Sequence, residues 1–232
     1  NNIVQLFINQ TFLKNKLALK EQEQKLAEMT ALQLQINPHF LFNTLQTLDF
    51  KALEYTRMPT ALNRIIEALS DILKYSLQNT MSMVTLKDEI EYLKKYDHIQ
   101  QYRYEDKYIL YYDYEEELES TPIIRLILQP LIENSLYHGI KPLDGSGFIK
   151  LKITERDNWL TVTVIDTGVG MEKAEITALY EKINHPGNEN IGLANVNSRL
   201  VMQYGEESRL KILSKKHMGT CISFRIPFSQ SL

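Results

Sequence analysis

The sequence predicts an α+β protein in two parts: an N-terminal helical hairpin that needs a second copy to close a four-helix bundle, then an α/β sandwich. Three observations carry this. Residues 3–58 hold no glycine and a single proline, Pro38, and up to Leu34 they are dominated by Leu, Lys, Glu, Gln and Ala, the composition of a long helix. IKLKIT (149–154) and LTVTVID (160–166) alternate apolar and polar residues, the period of strands with one buried face. Near residue 105 the period changes from helical to extended, and the border between the two parts is placed there.

Each element has its own signal. Phe12, Leu19 and Leu26 recur every seven residues like a coiled-coil seam, although Lys16 and Glu23 between them are polar; residues 1–30 are read as a signalling helix or coiled coil. In INPHFLFNTL (36–45), Pro38 cannot donate to the Leu34 carbonyl and its ring crowds that turn, so it either bends the long helix or starts a separate one. Beyond Met58-Pro59 a second helix carries Leu62, Ile65, Ile66, Leu69, Ile72 and Leu73 on one face. Such a hairpin encloses no core alone, so a homodimer is expected. Thr85-Leu86-Lys87-Asp88 reads as a capping box opening a helix over 85–104. KYILYYDY (107–114) is strand-like, and Thr121-Pro122 reads as the N-cap and first-turn proline of a helix through Tyr137 that Gly139 closes. The two alternating strands flank Asp157-Asn158, a hairpin turn. A loop-like stretch to Asn190 precedes a helix over 191–203 and two final strands, RLKILS and TCISFRIPF.

Composition removes several function classes. The 232 residues carry a net charge of −3 with pI near 6.0, so there is no global field to recruit nucleic acid or anionic lipid. The tyrosine-dense run from Tyr92 to Tyr114 is no exception, because residues 87–119 hold eleven acids against five bases. Cys221 is the only cysteine, which suits a reducing compartment and favours the cytoplasm. No stretch approaches the roughly 18 apolar residues of a membrane span, and NNIVQLFINQTFL lacks the basic start of a signal peptide. Because the chain opens on Asn1, it is read as a fragment, and a membrane anchor, if the protein has one, is expected in an upstream piece. His98, His185 and His217 lack metal-ligand spacing, and H-E-x-x-H, G-x-S-x-G and Walker A motifs are absent.

Three short motifs point to a ligand. LTVTVID ends in Asp166 and runs into Gly168 and Gly170; a carboxylate at a strand end followed by two glycines suits an exocyclic amine and close backbone approach. IIRLILQPLIENSLYHG places Asn134 and His138 at i and i+4 on one face, and an amide oxygen suits Mg²⁺, which keeps several waters. IGLAN puts Gly192 at a helix start, a place for phosphate. Taken alone, each also reads as ordinary loop, core or capping chemistry.

In this order, ENSLYHG, DTGVGM and IGLANVNSRL resemble the N, G1 and G2 boxes of the GHKL (Bergerat) ATP-binding domain shared by sensor histidine kinases, gyrase, Hsp90 and MutL. NPHFLFNTL followed by LILQPLIEN is similar in particular to the LytS/YesM-type sensor histidine kinases of two-component systems. The resemblance covers nearly the whole chain from about residue 30. It implies His39 as phosphoacceptor, Asn134 as Mg²⁺ ligand, Asp166 as adenine reader, Gly168 and Gly170 as G1 glycines, Gly192 as the remaining G2 glycine, and His138 near the phosphates. It further implies residues 31–104 as dimerisation and histidine-phosphotransfer helices and 105–232 as the catalytic domain. ATP and Mg²⁺ are the expected cofactors, and a response regulator's receiver domain is the expected partner. The chain would then be the cytoplasmic portion of a cell-membrane sensor.

Two departures stand out. Asn190 occupies the first glycine position of the G2 box, and Phe40 stands where many histidine kinases outside this type carry an acid beside the acceptor. The proton acceptor for His39 is therefore sought elsewhere, with Glu133, next to Asn134, as the candidate. Asn43, one turn after His39, falls on the same face and would orient a water for dephosphorylating a partner. A GHKL-type ATPase and a non-catalytic ATP-binding or dimerisation module are the alternative readings.

Overall fold

The computed structural model describes residues 38–105, 107–184 and 192–228, with side chains from residue 41 onward. The expected coiled-coil seam, any bend upstream of Pro38 and Asn190 of the G2 box lie outside the described residues. The chain divides into two compact units that meet at Ile66 and Glu67.

The first unit is built on α1 (Pro38–Thr56) and the beginning of α2 (Ala61–Ser76). Arg57, at φ 57°, and Pro59 break the chain between them. The hairpin is fastened by a polar pin: Asn63, 7% exposed, donates to the side chain of Asp49 at 2.7 Å and accepts from the Thr60 backbone N–H at 3.0 Å. Ala52 and Ile66 are buried, yet Leu48, Phe50 and Leu62 are more than half exposed. A single copy thus leaves apolar surface in water, as expected for a hairpin with no enclosed core.

The second unit opens with β1 (Met83–Thr85), which pairs antiparallel with β3 (Pro122–Ile124). Between them run α3 (Leu86–Arg103) and β2 (Tyr108–Asp113). Thr85 and Asp88 form both halves of the expected capping box, which typically stabilises a helix start by about 1 kcal/mol. The expected helix from Thr121 is corrected. Pro122 begins a strand, where proline's missing N–H is tolerated, and the first-turn proline is Pro130 of α4 (Gln129–Asn134). Ile123, Ile124, Ile127 and Leu128 are all fully buried, so this run has no polar face and its period could not separate strand from helix. Nor does Gly139 close the helix. It lies inside a π-turn, Ser135–Ile140, in which Lys141 N–H reaches the Leu136 carbonyl at 2.8 Å.

Five strands form one mixed sheet in the order β2-β4-β5-β7-β6, comprising β4 (Gly147–Arg156), β5 (Trp159–Asp166), β6 (Lys211–Lys215) and β7 (Gly219–Pro227). Only the β2–β4 pair is parallel. Asp157 and Asn158 both have positive φ, 55° and 62°, as a two-residue hairpin turn requires. One sheet face, including Ile149, Leu151, Val162, Val164, Ile222 and Phe224, shares a core with α3, α4 and α6 (Gly192–Tyr204). The stretch expected to be loop-like contains a further helix, α5 (Lys173–Asn184). This two-layer α/β unit following a helical hairpin is the predicted α+β class.

Candidate functional site

The C-terminal end of β5, the π-turn and the start of α6 surround a cavity of about 680 Å³. Asn134, His138, Asp166, Gly170 and Gly192 all line it, so residues chosen from three separate motifs converge on one space. Gly168 is not among the lining residues. Its place is against the π-turn, where an added Cβ would sit 2.5 Å from the Gly139 carbonyl oxygen. Gly139 in turn leaves no room for a Cβ, which would lie 2.7 Å from Asp166 Oδ1. Val169 N–H donates to the Gly139 carbonyl at 3.0 Å and completes the seam. The close backbone approach expected of Gly168 is therefore real, but it is made to the protein's own backbone. Gly170 has φ +60°, and an added Cβ would overlap the Lys215 carbonyl.

Asp166 is 2% exposed, and its Oδ1 accepts from the N–H groups of Gly168 at 2.8 Å and Thr220 at 3.2 Å. Burial pushes its pKa up, while these backbone donors favour the ionised form. A carboxylate fixed in this way is an acceptor for a ligand donor in a dry wall. Apolar side chains of Met171, Leu179, Ile183 and Leu193 line the same cavity, as do Lys182 and Lys216. Lys216 Nζ lies 3.7 Å from Glu175 Oε2. The cavity thus offers an acid for an amine, an apolar wall for a ring, and basic side chains for anionic oxygens.

Sequence reasoning missed the α5 contribution. Its signal was present, since Ile176, Leu179, Tyr180 and Ile183 fall at i, i+3, i+4 and i+7. Glu133 does not line the cavity; its Oε1 accepts from Gln129 Nε2 at 2.8 Å, and its charge helps hold the buried Tyr96 phenol in the neutral form. His39 and Asn43 belong to the first unit. There Asn43 lines a shallow surface groove with Thr47 and Phe50, and the His39 side chain lies outside the described residues. Asn134 fits the expected metal by its chemistry: a neutral amide oxygen in the cavity wall, leaving the remaining positions of a six-coordinate ion to phosphate and water.

The fold is a two-layer sandwich with this cavity at the C-terminal end of β5, and residues 120–230 match the family model for histidine kinase-, DNA gyrase B- and HSP90-like ATPases. Residues 27–108 match the histidine kinase model, and the chain belongs to the histidine kinase family. It is 32% identical over 234 residues to sensor protein kinase HptS of Staphylococcus aureus, in strains bovine RF122 / ET3-1 and USA300, covering 99% of this chain and 44% of the relative. The chain therefore spans less than half the length of these relatives. Among solved structures it resembles the histidine kinase domain from Erythrobacter litoralis EL346 blue-light activated histidine kinase, with 17% identity, TM-score 0.46, and coverage of 88% of this chain and 94% of that one.

Proposed function

We propose that this chain is the kinase core of a LytS/YesM-type sensor histidine kinase that phosphorylates His39 from Mg·ATP. The phosphoryl group then passes to an aspartate of a response regulator's receiver domain. The observation that carries this reading is the convergence of Asn134, His138, Asp166, Gly170 and Gly192 on one cavity, in a chain that also carries NPHFLFNTL.

Asp166 accepts from the adenine amino group, and the apolar wall covers the ring. Lys182 and Lys216 neutralise phosphate oxygens with His138 beside them, and Asn134 would supply one oxygen ligand to Mg²⁺, which would offset negative charge at the transferred group. A neutral imidazole nitrogen of His39 attacks the γ-phosphorus, the bond to the ADP oxygen breaks, and the imidazole proton passes to a base, for which Glu133 is the candidate. Asn43, on the same helix, would orient a water in the reverse, dephosphorylating role. The exposed apolar face of α1 and α2 supports a homodimer. Among the described residues no helix is long and apolar enough to cross a membrane, and we place this portion on the cytoplasmic side of a cell-membrane sensor.

Incubation with γ-labelled ATP tests the proposal. Acid-labile, base-stable label on the wild-type chain, lost in His39→Gln while binding of a fluorescent ATP analogue persists, is the expected result. Release of inorganic phosphate without protein label would support an ATPase of the gyrase kind, and binding without either would support a non-catalytic module.

A further inference from the structure

The connection Arg125–Leu128, which leads from β3 into α4, is gripped from two sides by charged groups that the chemistry above does not use. On one side stands Glu89 of α3, 1% exposed. Its Oε1 accepts from Leu126 N–H at 2.6 Å, and its Oε2 from the N–H groups of Ile127 at 3.1 Å and Leu128 at 3.3 Å. The Tyr75 hydroxyl, in the last turn of α2, donates to the same Oε1 at 2.6 Å. On the other side stands Arg199 of α6, which donates through Nη1 to the Leu126 carbonyl at 3.1 Å and through Nη2 to the carbonyls of Arg125 and Thr80. Arg125 itself lies over the Tyr75 ring, 4.2 Å from its centroid, and its Nε donates to Ser82 Oγ at 3.1 Å. Leu126 is held at φ 54°, a left-handed conformation that leucine keeps only where its surroundings impose it.

These contacts join three things. α4 and its π-turn bring Asn134 and His138 to the cavity, and α6 brings Gly192, Leu193 and Ala194. Both helices are anchored to the same four-residue connection. Tyr75 and Thr80 fasten that connection to the end of α2 and the turn after it. Glu89 is stabilised as a buried carboxylate only while its four donors stay in place, so the connection and the end of α2 move together or the clamp breaks.

We infer that Glu89 and Arg199 are positioning residues that couple nucleotide affinity to the placement of the α2 end, with Tyr75 as the contact through which that placement is read. A displacement of α2 that withdraws the Tyr75 hydroxyl loosens the connection and, through it, the two helices that wall the cavity. By linkage, nucleotide held between α4 and α6 tightens the grip on Tyr75 by the same factor. This inference rests on the reading of the cavity as an ATP site.

The test uses the full chain: titration with a fluorescent ATP analogue and steady-state labelling over a range of ATP, for wild type, Glu89→Gln, Arg199→Lys and Tyr75→Phe. Ile153→Ala, in the β4 core and outside the cavity lining, serves as a destabilised control. Glu89→Gln and Arg199→Lys should each weaken analogue binding by roughly 5- to 100-fold, the usual range for coupled sites. Their KM for ATP should rise more than the rate at saturation falls. Tyr75→Phe, which removes one hydroxyl, should weaken binding in the same direction by on the order of threefold. The Glu89→Gln/Arg199→Lys double variant should lose less than the product of the single losses, because both act on one connection. Ile153→Ala should melt earlier with unchanged affinity. Folded clamp variants that bind like wild type would overturn the inference, as would an Ile153→Ala variant that loses affinity in proportion to its lost stability. If Glu89→Gln does not fold, Tyr75→Phe decides the matter. A wild-type chain that binds no ATP analogue would overturn the nucleotide reading and the clamp together, whereas wild-type binding with unaffected variants would overturn the clamp alone.

Discussion

Gly168→Ala is the sharpest test of how the cavity is assembled. The new methyl would lie 2.5 Å from the Gly139 carbonyl oxygen, with the rest of the Gly139 backbone beside it. Ordinary contact begins about 1 Å further out. The obstacle is main chain, so no rotamer change relieves it, and either the π-turn or the β5 end must shift. Overpacking of this kind costs about 1–3 kcal/mol, which for a unit of this size lowers Tm by roughly 2–12 °C. The shift also parts Asn134 and His138 from Asp166, so affinity for an ATP analogue should fall by on the order of tenfold or more, even where the protein remains folded. Circular dichroism melts and analogue titration, with Gly145→Ala as a control whose Cβ meets nothing within 4 Å, measure both effects. Wild-type affinity and Tm in Gly168→Ala would refute the argument that this glycine seam sets the cavity's shape.

Asp166→Asn should keep the acceptor for Gly168 and Thr220 while removing the charge. Because burial raises the folded-state pKa of Asp166, its contribution to stability is full at low pH and is lost as pH rises through the folded value. The variant should therefore melt above wild type near pH 7.5, by a margin that shrinks toward pH 4, and its preference for ATP over GTP should collapse by orders of magnitude; a margin independent of pH would contradict this. Glu133→Gln should leave ATP affinity near normal and slow His39 labelling by roughly 10²- to 10⁴-fold if Glu133 is the base. An unaltered single-turnover rate would assign the proton to solvent or to another residue.

What the sequence revealed, and what it hid, follows from which residues were doing two jobs. The β4–β5 hairpin was readable because its alternation is clean and Asp157-Asn158 can take positive φ. α3 was readable because Thr85 and Asp88 form a reciprocal cap within four residues of sequence, even though Thr85 also ends β1. Thr121-Pro122 misled because the same pair that opens a helix also suits a strand start, and the apolar residues after it are buried on every side. α5 was hidden by its polar surroundings, although its apolar stripe was present. Among the cavity-lining residues, Asp166, Gly170 and Gly192 were legible because each stands in a short contiguous motif at a strand end or helix start, although Thr220 and Lys215, which pack on the first two, are distant in sequence. Gly139 escaped, because its reason for being glycine lies at Asp166, distant in sequence and adjacent only in the fold. Glu89 escaped in the same way, looking like one acid among many on a solvated helix until its backbone partners 37 to 39 residues away were known.

The π-turn at Ser135–Ile140 has a bearing on any attempt to make this chain more heat-resistant. Substitutions chosen to raise helix propensity, such as alanine for Gly139 or stronger helix formers at Tyr137 and His138, would favour a regular helix over the wider turn. Regularising it would draw the Gly139 carbonyl away from the Val169 N–H it now receives. A gain in local helicity would then arrive together with a distorted cavity, the familiar exchange of activity for rigidity. An engineer is better served by the solvent side of α5 or the exposed positions of α3, leaving these six residues as they are.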